Sequence, residues 1–417
     1  MRDVLVTGIG VVLPGCDTRD ALWRQLSRGS SQLTLEPAPG PASRHAVGRI
    51  RAFDAHRYLG EFPEPYYGRC PRDVQLYLSS LVLAREDAAL TGVPLAPDRV
   101  GLFDGTSRGS FAAWYARVRS EGQQPARELY TRRELAMDTP GQAVGVGAAL
   151  LRTEGPALTF TASCSSAPVA LGHACREVAR GAVDVAFAGG HEAALVPPLH
   201  LMYQEAGLCS AEYEDPARAV RPWTGGSGNA FGEGAVTLVL EAREHAERRG
   251  ARGLATMRGY AYGNTGRHPT HVDSSADRPA RVVRQLLDEA GVQSRGIGFV
   301  VGHGNGVAAS DASEIRLMRA VFGRRSGEVP LISTKPLYGH TLGAAGALNA
   351  AAAVLMLHHG RTVRSPNAPD DPVEYPDISF GHGDALPSAR RNGICLSFGL
   401  GGHNSALLFS SRTKESP

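Results

Sequence analysis

The sequence predicts an α/β fold, in which layers of helices cover a sheet of short strands. Short runs of β-branched and other apolar residues alternate along the chain with alanine-rich helical stretches. The pattern is clearest where a strand at 157–161, a helix at 166–180 and a strand at 183–188 form one right-handed crossover unit. A chain of 417 residues also exceeds the usual limit of one hydrophobic core, so two cores are expected.

The remaining elements follow the same alternation from the first residues to the last. Strands are predicted at 4–6, 100–103, 299–301 and 329–333, and a hairpin is predicted from strands at 394–397 and 405–409 around a glycine turn. Helices are predicted at 20–28, 75–90, 312–322 and 344–358. The last of these helices is so rich in alanine that it must pack on several sides, since a solvent-facing helix would carry a polar stripe.

Composition argues against several classes of protein. The net charge of +3 is too small to indicate a nucleic acid or a membrane as partner. The six cysteines are scattered without a CxxC pair, which is typical of a reduced cytosolic protein and predicts neither a disulfide scaffold nor a metal site. The N-terminus passes straight into a strand, and no segment approaches the roughly 20 apolar residues of a membrane span. We therefore expect a cytoplasmic protein.

Three short motifs carry the chemistry. Cys164 lies in Thr-Ala-Ser-Cys-Ser-Ser between a strand and a helix, where unpaired N–H groups and the helix dipole favour a thiolate. His303 and His340 each lie in a turn bracketed by glycines, whereas Cys175 and Cys395 lie inside regular elements and are expected to be structural. A thiol that attacks an acyl carbonyl and two imidazoles that stabilise negative charge are the minimum apparatus for carbon–carbon condensation through a thioester.

These motifs, together with Val-Leu-Val-Thr-Gly-Ile-Gly at 4–10 and Phe-Gly-Leu-Gly-Gly-His-Asn at 398–404, resemble the elongating β-ketoacyl synthases of type II fatty-acid and polyketide systems. The resemblance implies a thiolase-like duplicated five-layer αβαβα fold. It implies an N-terminal half at 1–250 with the nucleophile and a C-terminal half at 251–417 with both histidines. It also implies that the enzyme needs no cofactor, because its substrates are carried on the phosphopantetheine of an acyl carrier protein.

The resemblance further implies roles for the residues around the cysteine. The neutral His303 and His340 would stabilise the enolate and the oxyanion as a malonyl thioester loses carbon dioxide, with His340 donating from Nε2. Lys335 and Glu314 would form a supporting ion-pair network, although residues 311–314 also read as a helix capping box. The backbone N–H groups of Cys164 and of the Phe398 turn would form the oxyanion hole.

The same turn, with Phe398, Gly399 and Leu400, is expected to act as a gate, since its glycines allow it to swing. Several positions depart from the family pattern. Asn305 and Val307 stand where threonines usually hold the pantetheine arm, and Thr270 remains as an arm contact. Leu400 replaces a second gate aromatic, and His403 stands where the family has a threonine before its asparagine, here Asn404. A Trp-Thr-Gly-Gly-Ser-Gly segment at 223–228 replaces a segment that contains an aspartate in the family.

Arg108 falls where a small or apolar residue normally lines the acyl tunnel, which favours short or polar acyl groups. Arg69 and Arg72 are expected to contact an acidic carrier protein, with ordinary solvated arginines as the alternative.

The chain thus reads as a β-ketoacyl synthase of a type II polyketide or related secondary-metabolite pathway, working as a homodimer or with a synthase-like chain-length subunit. An acyltransferase that does not decarboxylate, and a non-catalytic chain-length partner, are the alternatives.

Overall fold

The computed structural model describes residues 1–38, 44–131, 139–212, 214–270, 273, 275–369 and 375–412. Its strands are β1 (Val4–Val12), β2 (Thr34–Pro37), β3 (Arg44–Gly48), β4 (Val100–Gly105), β5 (Ala157–Phe160), β6 (Val185–Glu192), β7 (Phe231–Gly232), β8 (Gly234–Ala242), β9 (Ala255–Asn264), β10 (Ile297–Val301), β11 (Leu331–Ile332), β12 (Asn392–Gly399) and β13 (His403–Ser411). Its helices are α1 (Arg19–Arg28), α2 (His56–Leu59), α3 (Arg72–Asp87), α4 (Phe111–Ser120), α5 (Ala126–Leu129), α6 (Gln142–Leu151), α7 (Ser166–Ala179), α8 (Pro197–Glu205), α9 (Arg243–Arg248), α10 (Asp277–Glu289), α11 (Ala308–Phe322), α12 (Lys335–Tyr338) and α13 (Ala345–His359).

Ten of the strands form one mixed sheet in the order β11-β10-β12-β13-β9-β1-β8-β6-β4-β5. The sheet consists of two five-stranded halves that meet where β1 and β9 pair antiparallel, from Val4 opposite Met257 to Val6 opposite Ala255. In each half the strands lie in the same order relative to the chain, with the first strand beside the last at the junction. β4 pairs parallel with β5 and β6, as β10 does with β11 and β12. The repeated order is that of a duplicated fold.

Helices fill the space between the halves and cover their outer faces. α7 packs on β4 and β6 and reaches β9, and α13 packs on β12 and β13 and reaches β8, so these two helices form the central layer. α3 and α6 cover the N-terminal half, while α10 packs on β9 and β13 and carries α11. The arrangement confirms the predicted thiolase-like α/β class with its five layers.

The central helix corrects the expectation that no segment of the chain is long and apolar enough to span a membrane. Residues Leu342–His359 form an 18-residue helical stretch with a mean hydropathy of 1.3, long and apolar enough to cross a membrane by length and composition. The stretch is 89% buried inside the protein, because strands and α7 surround it. Its alanines allow this close packing on several sides, as the sequence predicted.

Candidate active site

Cys164 occupies a tight turn between β5 and α7 at the edge of the central layer. Ser163 has a φ of 53°, in the left-handed region that a non-glycine residue adopts at a cost. The Ser166 hydroxyl stabilises this turn, since it accepts from the Ala162 N–H at 2.9 Å and donates to the Ser163 carbonyl at 2.6 Å. Cys164 therefore lies two residues before the first residue of α7, rather than within its first turn as the sequence suggested.

His340 faces the thiol directly. Its Nε2 lies 3.0 Å from the Cys164 Sγ, and its Nδ1 accepts a hydrogen bond from the Leu342 N–H at 3.2 Å. Because a neutral imidazole carries one proton, the accepted bond at Nδ1 places that proton on Nε2, pointing at the sulfur. Burial, reinforced by the charge of Lys335, lowers the pKa of His340 well below its usual value, so the ring is neutral at pH 7.

The thiol is 7% exposed, and burial raises the pKa of Cys164. The Ser163 hydroxyl, 3.8 Å from the sulfur, and the charge of Lys335 both act in the opposite direction on this pKa. Burial therefore opposes the stabilisation of the thiolate that the position before the helix was expected to give. A donor such as the His340 Nε2–H has to supply stabilisation when the sulfur gains charge.

His303 stands beside His340, with ring centroids 5.4 Å apart and planes at 85°. The Asn305 Nδ2 lies 3.2 Å from its Nε2, and the Phe398 N–H lies 3.4 Å from its Nδ1. Only one of these groups can donate to a neutral imidazole, which has a single lone pair in the ring plane. The Asn305 Oδ1 accepts from the Val307 N–H at 3.1 Å, which turns the amide nitrogen towards His303. Burial lowers the pKa of His303 well below its usual value.

Glu314 and Lys335 hold the His303 loop from two sides. The Glu314 carboxylate accepts from the His303 N–H at 2.6 Å, the Gly304 N–H at 2.9 Å and the Trp223 Nε1–H at 3.0 Å. The Lys335 Nζ donates to the His303 carbonyl. Burial raises the pKa of Glu314, and burial lowers the pKa of Lys335 to about 8. The two groups thus act on one backbone segment, and the charge of each favours the charged form of the other, although the structure shows no direct contact between them.

The capping-box interpretation of residues 311–314 is wrong. Helix α11 begins at Ala308, and its N-cap Val307 provides no side-chain bond, so Asp311 and Glu314 lie in the body of the helix. Asp311 accepts from the Trp223 N–H at 2.7 Å and from the Asn305 N–H at 3.3 Å, and burial raises its pKa to about 7. Asp311 is a supporting residue that sequence reasoning missed.

A cavity of about 80 Å³ opens onto the thiol. Among its lining residues are Cys164, His303, His340 and the gate residues Phe398, Gly399 and Leu400. Two contacts pin the turn that carries the gate, since the Asn264 Nδ2 donates to the Gly401 carbonyl at 2.6 Å and the Thr265 N–H donates to the Gly402 carbonyl at 2.9 Å. Any opening of the gate has to break or stretch these bonds.

The predicted arm contacts Thr270 and Asn305 also line this cavity, and Thr270 is exposed at its edge. Arg108 does not line it, which corrects the expectation of a guanidinium at the tunnel wall. Its side chain is partly buried, and its Nη2 donates to the hydroxyl of Tyr203 at 3.2 Å, a residue that does line the cavity. The guanidinium carbon also lies 5.9 Å from the centroid of the Tyr203 ring.

The two candidate docking arginines differ. Arg69 is exposed. Arg72 forms a bidentate pair with Glu233, with its Nε 3.0 Å and its Nη2 2.8 Å from the carboxylate oxygens, and donates to the Ile50 carbonyl at 2.7 Å. Because the Glu233 side chain is only 1% exposed, Arg72 neutralises a buried charge. Arg72 therefore has a structural role, while its assignment to carrier-protein docking stays a prediction because its side chain is 37% exposed.

Sequence reasoning also missed a buried charged cluster behind the thiol. The His191 Nδ1 lies 3.0 Å from Asp104, and its Nε2 lies 3.5 Å from Asp73. Glu192 follows directly and accepts the N–H groups of Ser107 at 2.9 Å and of Arg108 at 3.2 Å. Burial raises the pKa of Glu192 to about 7. The only signal in the sequence was an ionisable pair at the end of an apolar strand.

Within the ranges that the structure describes, no group of three or more His, Cys, Asp or Glu side chains is placed to hold a metal ion. The cysteines at positions 16, 70, 164, 175, 209 and 395, all within the described ranges, form no disulfide bond. Burial raises the pKa of Cys175 to about 12 and that of Cys395 above the usual range. The groups that meet at this site are the Cys164 thiol and the two neutral imidazoles.

Comparison with known proteins agrees with this geometry. The family model "Beta-ketoacyl synthase, N-terminal domain" matches residues 1–246, and "Beta-ketoacyl synthase, C-terminal domain" matches residues 254–368. The chain is 29% identical to 3-oxoacyl-(acyl-carrier-protein) synthase 2 of Vibrio harveyi and 31% identical to putative polyketide beta-ketoacyl synthase 1 of Streptomyces cyaneus, over 98% of each chain in both pairs. The solved structure described as the ishigamide ketosynthase/chain length factor superposes with a TM-score of 0.88 at 26% identity, covering 99% of both chains.

Proposed function

Because the chain belongs to the β-ketoacyl synthase family, and is thus an acyltransferase, we propose that it catalyses a decarboxylative Claisen condensation between an acyl group on Cys164 and malonyl-acyl carrier protein. The observation that carries the proposal is the 3.0 Å contact between the Cys164 Sγ and the His340 Nε2, with His303 beside both. A nucleophile and two neutral N–H donors around one cavity are what this reaction requires.

The first half-reaction loads the enzyme. The Cys164 sulfur attacks the thioester carbonyl of a carrier-bound acyl group, and the backbone N–H of Cys164 and one from the turn at 398–402 stabilise the tetrahedral oxyanion. The bond to the pantetheine sulfur then breaks, and the proton lost by the cysteine thiol ends on the departing thiol. The Phe398 N–H itself lies 3.4 Å from the His303 Nδ1, so a later N–H of this turn supplies the second hydrogen bond.

The second half-reaction forms the carbon–carbon bond. As the malonyl group loses carbon dioxide, the His303 and His340 side chains donate to the thioester oxygen on which enolate charge develops. The enolate carbon then attacks the carbonyl of the acyl group on Cys164, the bond to the cysteine sulfur breaks, and the released thiolate takes up a proton from water. Lys335 supports this step because its charge lowers the pKa of both imidazoles and keeps them neutral. His303 needs the Asn305 amide to move before its Nε2 can donate.

We assign the reaction to a type II polyketide or related secondary-metabolite pathway. Relatives at about the same identity include fatty-acid and polyketide enzymes, so identity alone does not separate the pathways. The substitutions Asn305 and Val307 at the arm positions and the polar pair Arg108–Tyr203 near the cavity favour a specialised substrate. The N-terminal unit at 1–250 would supply the nucleophile, and the unit at 251–417 would supply both histidines.

The proposed partners are an acyl carrier protein, met through Arg69, and a second synthase-like chain. A heterodimer is supported by the structural relative, whose description names a ketosynthase and a chain length factor. The same relative keeps open the alternative that this chain is itself a chain-length-factor-like subunit. Such subunits resemble synthases without the nucleophile, and Cys164 with its two histidines argues against that role.

Incubation of the purified protein with an acyl donor and malonyl carrier protein tests the proposal. We expect carbon dioxide release and a product two carbons longer than the acyl donor, both lost in Cys164→Ala and both kept in the matched control Cys175→Ala. Acyl exchange without carbon dioxide release would assign the chain to simple acyl transfer. The absence of both reactions, from the protein alone and with its partner chain, would assign it to a non-catalytic subunit.

A further inference from the structure

Tyr203 carries a hydroxyl group at the wall of the active-site cavity. The residue lines the cavity with Cys164 and packs against Phe231, with ring centroids 4.5 Å apart and ring planes tilted by 40°. It is only 7% exposed, and its oxygen accepts a hydrogen bond from the Arg108 Nη2 at 3.2 Å. Because the guanidinium can only donate, the phenolic O–H proton has to find a different acceptor.

The neighbouring carboxylate of Glu192 does not provide that acceptor. Its Oε1 accepts from the Arg108 N–H at 3.2 Å and the Thr106 hydroxyl at 3.4 Å, and its Oε2 accepts from the Ser107 N–H at 2.9 Å and the Gly343 N–H at 3.1 Å. A carboxylate offers about four lone-pair sites. These four donors occupy the acceptor sites of the Glu192 carboxylate, which therefore makes no hydrogen bond to the Arg108 guanidinium.

The cluster as a whole holds more donors than acceptors. Besides the Tyr203 hydroxyl, the Nε of Arg108 is buried and has no hydrogen-bond partner among the residues that the structure describes. Buried donors without partners are rare in folded proteins, because each one costs the free energy of its lost hydration. An acceptor atom brought by a ligand would satisfy the Tyr203 hydroxyl, and the acyl cavity is the space that Tyr203 faces.

We infer that Tyr203 is a specificity-determining residue that donates a hydrogen bond to an oxygen atom of the acyl chain on Cys164, while Arg108 fixes the position of the hydroxyl. The inference rests on the proposed function and names its substrate class, which is short acyl groups that carry a carbonyl or hydroxyl oxygen. The volume of the cavity indicates that the acyl group is short, since about 80 Å³ is less than the roughly 150 Å³ of a cavity that holds a benzene molecule.

Acylation of Cys164 from pantetheine thioesters, followed by intact-protein mass spectrometry, tests the inference with matched pairs of substrates. The pairs are butanoyl with 3-oxobutanoyl and pentanoyl with 4-oxopentanoyl, which differ by one oxygen. We expect the wild type to load one oxo member about tenfold faster than its partner, the scale of one hydrogen bond, and Tyr203→Phe to lose that preference. The matched control is Tyr115→Phe, which removes a hydroxyl bonded to Arg119 at 3.3 Å away from the cavity lining.

Equal loading within both pairs by the wild type, or a preference that survives in Tyr203→Phe, would overturn the inference. If Tyr203→Phe does not load butanoyl, the variant Arg108→Met is tested in its place. It keeps the Tyr203 hydroxyl but removes the guanidinium that positions it, so an unchanged oxo preference in Arg108→Met would again count against the assignment. The readout is separate from condensation. An oxo preference without carbon dioxide release from malonyl carrier protein would reject the proposed function alone, and condensation without the preference would reject only this inference.

Discussion

Replacing Glu314 with alanine tests how the His303 loop is held. The substitution removes the common acceptor of the His303 N–H, the Gly304 N–H and the Trp223 Nε1–H. Each buried donor left without a partner costs about 1–3 kcal/mol, so the three together cost about 3–9 kcal/mol. That cost is a large part of the total stability of a typical protein, about 5–15 kcal/mol. The removal also takes away the carboxylate that does most to favour the charged form of the buried Lys335.

Urea unfolding, followed by circular dichroism, measures this cost as a change in the midpoint at constant slope. We expect the free energy of unfolding of Glu314→Ala to fall by at least about 3 kcal/mol. Glu328→Ala is the control, because Glu328 pairs with Arg325 and Arg390 at the surface and its removal should matter little. A loss below about 1 kcal/mol in Glu314→Ala would refute the reasoning that this carboxylate carries three buried donors.

The other predictions concern single positions. Burial lowers the pKa of Lys335 from 10.5 to about 8, so its contribution to stability, full above pH 10.5, is lost as the pH falls to 8. As the pH rises from 8 to 10.5, the free energy of unfolding of the wild type should therefore increase by about 3 kcal/mol relative to that of Lys335→Met, measured by urea titration. A difference between the two proteins that does not change with pH would contradict the assignment. Arg69→Glu should raise the KM for the carrier protein and weaken its salt dependence, whereas Arg72→Glu should mainly destabilise the fold by expelling the partner of Glu233; unchanged kinetics in Arg69→Glu would place docking elsewhere. Arg108→Ile should lengthen the saturated chains that load, because Tyr203 loses its tether, and an unaltered chain-length profile would contradict this.

Much of the fold was predictable because alternation of apolar strands and helices is a local signal. The strand and helix around Cys164, predicted at 157–161 and 166–180, are observed at Ala157–Phe160 and Ser166–Ala179. Boundaries were less predictable. The helix expected at 312–322 begins four residues earlier, at Ala308, because its first turn is fixed by contacts with the segment around Trp223. The small sheet β2-β3-β7 was missed, since its strands carry little alternation.

The candidate site divides in the same way. The sequence alone could identify three site residues, Cys164, His303 and His340. Each lies in a glycine- or serine-rich turn, and its own side chain indicates the chemistry that it can perform. Arg72 could not be assigned, since its partner Glu233 lies 161 positions away in the sequence. The pair of Arg108 and Tyr203 spans 95 positions and likewise exists only in the folded chain. Long-range pairing therefore decides which charged residues are free to meet a substrate or a partner.

The central claim, that Cys164 is loaded first and that two neutral imidazoles then drive decarboxylation, is tested most directly by separating the two steps. His303→Ala and His340→Ala are loaded with the same acyl group as the wild type, loading is measured by intact mass, and carbon dioxide release from malonyl carrier protein is followed in a single turnover. The account predicts that both variants retain acylation and release carbon dioxide at least about 10²-fold more slowly, the scale of a lost oxyanion donor. Release at the wild-type rate from both acylated variants would contradict it.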